Sequence, residues 1–300
     1  MPQNLPSVRD AGPSQLPAER ITPGPVRVGV IPLALQGRAL DVFRLLLLRV
    51  NTLQSVLEFC FLPVVKHPFL DGLRSTDSLK REKFMEGGPG FVAEYSAAMA
   101  REATRFGVRD PSARGYVILS TARFHDFYFS DGVPRLQVIA LGYWERHMAP
   151  PSILEFFLFL TVRYAVGFAH PDFTSGRHYG NTGCLWDFSP DLEEARDRIL
   201  TGYVCPECRA SLVDAGLGEL CDALPKVFRA EWLGEPSDPT SLAGLGRKLG
   251  HDLFITTGLK PTRWESLKAT LSNEGPKEAL KVAGGIVLVA ILVWFGLQMP

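Results

Sequence analysis

From Val282 to Leu297 the chain reads VAGGIVLVAILVWFGL without one charged residue. A helix needs about 20 residues, and no fewer than about 17, to cross the hydrocarbon of a bilayer. Ala279 and Leu280 extend the run, and Lys281 can snorkel its amine toward the headgroups. Trp294 falls near one interface, Lys277 and Lys281 flank the N-terminal end, and nothing basic follows. This pattern predicts a transmembrane helix at 279–298 and a single-pass, tail-anchored membrane protein with its N-terminal bulk cytoplasmic. A buried C-terminal core helix is the alternative. Core helices usually keep a polar stripe, and this segment has none.

Ahead of that segment the chain has the makings of a globular domain, with 46% hydrophobic and 21% charged residues. Lys plus Arg equals Asp plus Glu at 32 each, so no basic field exists to gather nucleic acid, and that partner class is excluded. The five cysteines are unevenly spaced and too few for a disulfide framework, which suits free or metal-bound thiols. Residues 1–25 are proline-rich and polar, without the apolar segment of a signal peptide, and are expected to form a disordered leader.

The β-branched run Val26–Leu33 predicts a strand, and the spacing of Leu45, Leu46, Leu48, Leu53 and Val56 predicts a helix within 39–57. Further strands are expected at 57–65, 116–121 and 136–141, with helices at 90–106 and 152–168. The last of these helices contains Glu155 and Arg163, which makes it a core helix rather than a second span. The order of elements predicts an α/β or α+β domain over 26–213. It contains a Cys/His-bearing segment at 170–213, and a helical connector region follows at 214–278.

The most informative spacing is His178-x5-Cys184-x20-Cys205-x2-Cys208. Thiolate sulfur and imidazole nitrogen are the favoured structural ligands of tetrahedral Zn²⁺, and a Cys-x2-Cys step brings two sulfurs to one ion from a tight turn. Cys205-Pro206-Glu207-Cys208 fits such a knuckle, with His178 and Cys184 as the second ligand pair. Two other readings compete: a dithiol redox centre at a helix start, and unrelated thiols. Cys60, in an apolar strand, and Cys221, in a helical Leu-Cys-Asp-Ala-Leu, read as small core residues.

The cysteine segment resembles the zinc-binding tail of the archaemetzincins, metzincin-type zinc peptidases. That family carries a structural zinc on Cys-x4-Cys-x-Met-x17-Cys-x2-Cys, immediately after a catalytic HExxHxxGxxH helix. Cys184-Leu185-Trp186 followed by Cys205-Pro206-Glu207-Cys208 is similar to the later part of that pattern. The VGVIPL and YVILST strands follow its order of elements loosely. The resemblance implies a zincin-like α/β (α+β) domain with a structural zinc knuckle. It does not carry over the catalytic zinc. The family's spacing places a structural cysteine at Tyr179, the third catalytic histidine at His178, and HExxH on Phe168-Ala169-His170-Pro171-Asp172. That stretch has neither the paired imidazoles nor the glutamate of the motif, which occurs nowhere in the chain.

Other candidates read more simply. His170 and Asp172 offer a weak second metal site, but Gly-Phe-Ala-His-Pro fits a helix terminus better. His125-Asp126 and Glu145-Arg146-His147 suit polar turns, and Gly87-Gly88-Pro89-Gly90 lacks the Gly-Lys-Ser/Thr ending of a phosphate loop. The sequence therefore predicts a non-catalytic, zinc-stabilised, peptidase-like module that binds or senses a protein or peptide partner at a membrane. One alternative is a metal-dependent hydrolase with atypical ligands His170, Asp172 and His178. Another is a membrane assembly module whose helix contacts use Gly284, Gly285 and Gly296.

Overall fold

The computed structural model describes residues 24–74, 78–108, 112–173, 178, 182–229 and 231–250. The chain runs β1 (Val26–Ile31), α1 (Gly37–Val50), β2 (Leu57–Phe61), α2 (Pro68–Gly72), β3 (Ser78–Leu79) and α3 (Arg81–Met85). It continues through α4 (Gly88–Arg105), β4 (Gly115–Ser120), β5 (Arg123–Phe124), β6 (Ser130–Val133) and β7 (Leu136–Ala140). Then come α5 (Ile153–Ala169), α6 (Leu192–Thr201), α7 (Pro206–Asp214), α8 (Glu219–Arg229) and α9 (Leu242–Lys248).

Five strands form one sheet in the order β2-β1-β4-β7-β6. The first four are mutually parallel, in a register that sets Val28 beside Phe59 and Ile118 beside Val138. β6 returns antiparallel on β7 and forms the edge. The two-residue β3 and β5 make a small separate parallel pair. Strands buried on both faces read as continuous apolar runs. VRVGVI and GYVILS do so, which is why they were legible.

Alternation along the strands splits the core in two. Val28, Val30, Val117, Leu119 and Ile139 face one side, where α1 and α5 pack. Ile31, Tyr116, Ile118, Val138 and Ala140 face the other, against Phe69, Phe91 and Tyr95 of α2 and α4. Gly88 at the start of α4 has a packing role. A Cβ there would stand 2.8 Å from Val133 Cγ2, so the glycine allows the helix to approach the β6–β7 hairpin.

α5 explains its own composition. It lies against the sheet on one side and against α1, α6 and α8 on the others, with Phe159 stacked on Phe228 at 5.1 Å. A helix enclosed all round is apolar all round. Its start is fixed by a capping box, in which Ser152 Oγ accepts the Glu155 N–H and Glu155 accepts the Ser152 N–H. Residues 214–250, within the expected connector, pack into this same core through Leu220, Leu224, Val227, Phe228, Leu233 and Ala243. The Ser55 N–H donates to Glu219 at 2.7 Å, tying α8 to the α1–β2 loop.

Two expectations are corrected. The described residues form a mixed α/β fold on a parallel-dominated sheet, in place of a zincin-like α/β (α+β) domain with a C-terminal transmembrane helix. Among the described residues, no helix is long and apolar enough to cross a membrane. The apolarity of α5, the most hydrophobic helix among them, is taken up by core packing. The span expected at 279–298, and the glycines of the assembly alternative, lie outside the described residues. No helix of the described fold supports the membrane, transmembrane, tail-anchored and single-pass assignments, or the cytoplasmic orientation derived from them.

Candidate metal centre

The four predicted ligands meet where described residues between α5 and α6 come against the start of α7. His178 pairs as an isolated parallel bridge with Asp187, and Cys184 does so with Tyr203. The Phe188 N–H donates to His178 O at 3.0 Å, and the Leu185 N–H to Tyr203 O at 2.8 Å. These bonds bring residues far apart in sequence side by side. Cys205 is the N-cap of α7, with Pro206 at the first helical position, and its Sγ accepts the Cys208 N–H at 3.4 Å. The Cys-x2-Cys step is thus the first turn of a helix, whose N-terminus favours a thiolate.

The ligand atoms of His178, Cys184, Cys205 and Cys208 all lie within 4.8 Å of one another. His178 Nε2 is 2.9 Å from Cys208 Sγ and 3.4 Å from Cys205 Sγ, and Cys184 Sγ is 3.9 Å from Cys208 Sγ. Tetrahedral Zn²⁺, with Zn–S of about 2.3 Å and Zn–N of about 2.0 Å, implies S–S edges of about 3.8 Å and S–N edges of about 3.5 Å. Two of the three measured edges match. The third, at 2.9 Å, is shorter than that edge and must open by about 0.6 Å to seat the ion.

The environment suits a closed site. Cys184 and Cys208 are fully buried, Cys205 nearly so, and the His178 side chain is 13% exposed. His178 turns Nε2 to the sulfurs while Nδ1 lies 3.8 Å from the Glu207 carboxylate, the outer partner a ligating imidazole usually has. The hydrogen bond between Cys184 and Cys208, opposed by burial, pulls the Cys184 thiol down. The same bond, with burial, pushes Cys208 up. All five cysteines are free thiols.

Among the described residues, this is the one group of histidine, cysteine and carboxylate side chains able to hold a metal ion. His170 is not in it. It caps α5, where its Nδ1 accepts the Asp172 N–H at 3.3 Å, as a helix terminus would. With His178 turned to the sulfurs, the His170–Asp172–His178 set is not assembled. Asp126 pairs with Arg81 at 2.7 Å. Although burial opposes it, that bond holds its carboxyl below the usual carboxylate range.

Sequence reasoning missed the buried polar frame around the ligands. The Asp187 carboxylate, fully buried, accepts the Thr182 N–H at 2.8 Å, the Thr182 hydroxyl at 2.9 Å and the Cys184 N–H at 3.1 Å. Arg198 of α6 approaches it at 3.9 Å, and Arg163 of α5 donates to the Asp187 carbonyl at 3.1 Å. The available signal was Arg163, the one charge in the middle of a helix whose other charged residue, Glu155, belongs to its N-terminal cap. Comparisons with protein-family models, with curated proteins and with solved structures give no match, so the archaemetzincin resemblance gains no support from them.

Proposed function

We propose that the protein is a non-catalytic binding module whose ligand loop is held by one structural Zn²⁺. The observation that carries this reading is the closed ligand set. Three sulfurs and one imidazole fill a tetrahedron and leave no position for substrate or activated water. A sulfur-rich, buried set selects zinc over harder divalent ions.

An exposed aromatic group beside this centre supplies the docking face. Phe188, 39% exposed, directly follows Asp187, and its backbone bonds to His178. Its ring stacks with Tyr128 at 6.0 Å. Phe127, 64% exposed and held at φ 62°, packs on Tyr143 at 5.0 Å. A bulky residue in the left-handed region is strained, and such strain gathers at functional positions. Aromatic surface of this kind suits a peptide or protein partner.

Selection of displayed random peptides against the purified chain tests the binding role. Enriched peptides should lose binding to Phe188→Ala and Phe127→Ala variants that still hold zinc. Metal-dependent cleavage of those peptides would overturn the non-catalytic reading, and indifference to both substitutions would overturn the docking face.

A further inference from the structure

One of the four candidate ligands, Cys184, depends on a side chain that is not itself a ligand. Both oxygens of Asp187 are used. Oδ2 accepts the backbone N–H groups of Thr182 and Cys184, and Oδ1 accepts the Thr182 hydroxyl. This closes residues 182–187 into a compact turn with Cys184 inside it. His178 is aligned through backbone alone, its N–H donating to Trp186 O and its carbonyl accepting the Phe188 N–H on either side of Asp187. A carboxylate without exposure accepting this many donors is a built frame, and here the frame surrounds Cys184.

The charges around it are also notable. Arg163 is 2% exposed and Arg198 is 4% exposed, and both reach Asp187, one through its carbonyl and one through its carboxylate. Arg163 Nε and Nη1 have no hydrogen-bond partner. Arg198 is also paired with the Glu194 carboxylate at 2.9 Å, so Asp187 and Glu194 together balance the two buried guanidiniums.

We propose that the Asp187 carboxylate is the positioning group of the metal centre. This rests on the zinc reading above. It holds the Cys184 loop in ligating geometry before the ion arrives, and Arg163, donating to its carbonyl, and Arg198, beside its carboxylate, fix Asp187 from behind.

The test is Zn²⁺ affinity by chelator competition, with the absorption spectrum of the Co²⁺-substituted full-length chain as a second readout. Asp187→Asn should weaken affinity by about 10–100-fold at one metal per chain and alter the thiolate–cobalt bands. Thr182→Ala removes one donor at the rim of the frame and should weaken affinity several-fold. It serves where Asp187→Asn fails to fold. Ser152→Ala, which removes a cap remote from the ligands, should lower stability and leave affinity and spectrum unchanged. Wild-type affinity and spectrum in Asp187→Asn, or in Thr182→Ala if that is the variant that folds, would overturn the positioning role while leaving the zinc site standing. A wild-type chain that binds no zinc would overturn both.

Discussion

At the scale of single residues, the decisive chemistry is competition between protons and metal. Ligating thiols must be deprotonated, so metal binding releases protons and weakens as pH falls. The hydrogen bond to Cys184, with burial, pushes the Cys208 thiol up, so a proton there is among those the metal must displace. Loading should therefore release protons, measurable as a buffer-dependent heat in calorimetry. Zinc retention should fall on acidification before the fold is lost. Asp126 gives a prediction of known sign. Its folded-state pKa lies below the unfolded one, so the Arg81 pair contributes stability above the ordinary carboxylate value, and that contribution fades as pH falls through the folded value. Asp126→Asn should thus lower stability by about 0.5–1 kcal/mol near neutrality. The gap to wild type should narrow in acid, as urea midpoints measured across pH would show.

At the scale of elements, α5 carries the packing. Phe156 and Phe157 are fully buried in it, and truncation of either to alanine should cost about 3–5 kcal/mol, readable as a fall in denaturation midpoint. Loss of its Ser152 cap should cost about 1 kcal/mol. What the sequence disclosed at this scale follows from how local each signal is. The parallel strands announced themselves through β-branched runs, and α5 through its length and apolarity. β6 did not, because Ser-Asp-Gly-Val lacks strand propensity and pairs only through the tight hairpin at Arg135, which sits at φ 66°. Arg135 is held there by donating to the carbonyls of Arg114 and Ala113, contacts far away in sequence.

At the scale of the molecule, the four candidate ligands were legible because Cys-x2-Cys and its histidine and cysteine companions carry their chemistry in residue type and spacing. The frame that supports them was not legible. Asp187 meets Thr182 and Cys184 nearby, but Arg163 and Arg198 reach it from two separate helices, and only the fold brings them together. The membrane expectation drew on a terminal composition that the described fold does not include. Within that fold the metal centre lies between α5, α6 and α7. The core of those helices runs through Cys184, Cys205 and Cys208 into Leu212 and Leu220. Removing the ion should therefore loosen the α6–α8 layer more than the sheet. Hydrogen exchange with and without chelator should show protection lost in residues 192–229 and kept in β1, β4 and β7.

The central claim is one structural zinc on His178, Cys184, Cys205 and Cys208. Elemental analysis of the purified chain, beside Cys205→Ser and His178→Ala variants, tests it most directly. The account predicts one zinc per wild-type chain, lost or sharply weakened in both variants, with a matching fall in thermal stability. A wild-type chain without zinc, or zinc kept at full stoichiometry and affinity after Cys205→Ser, would contradict it.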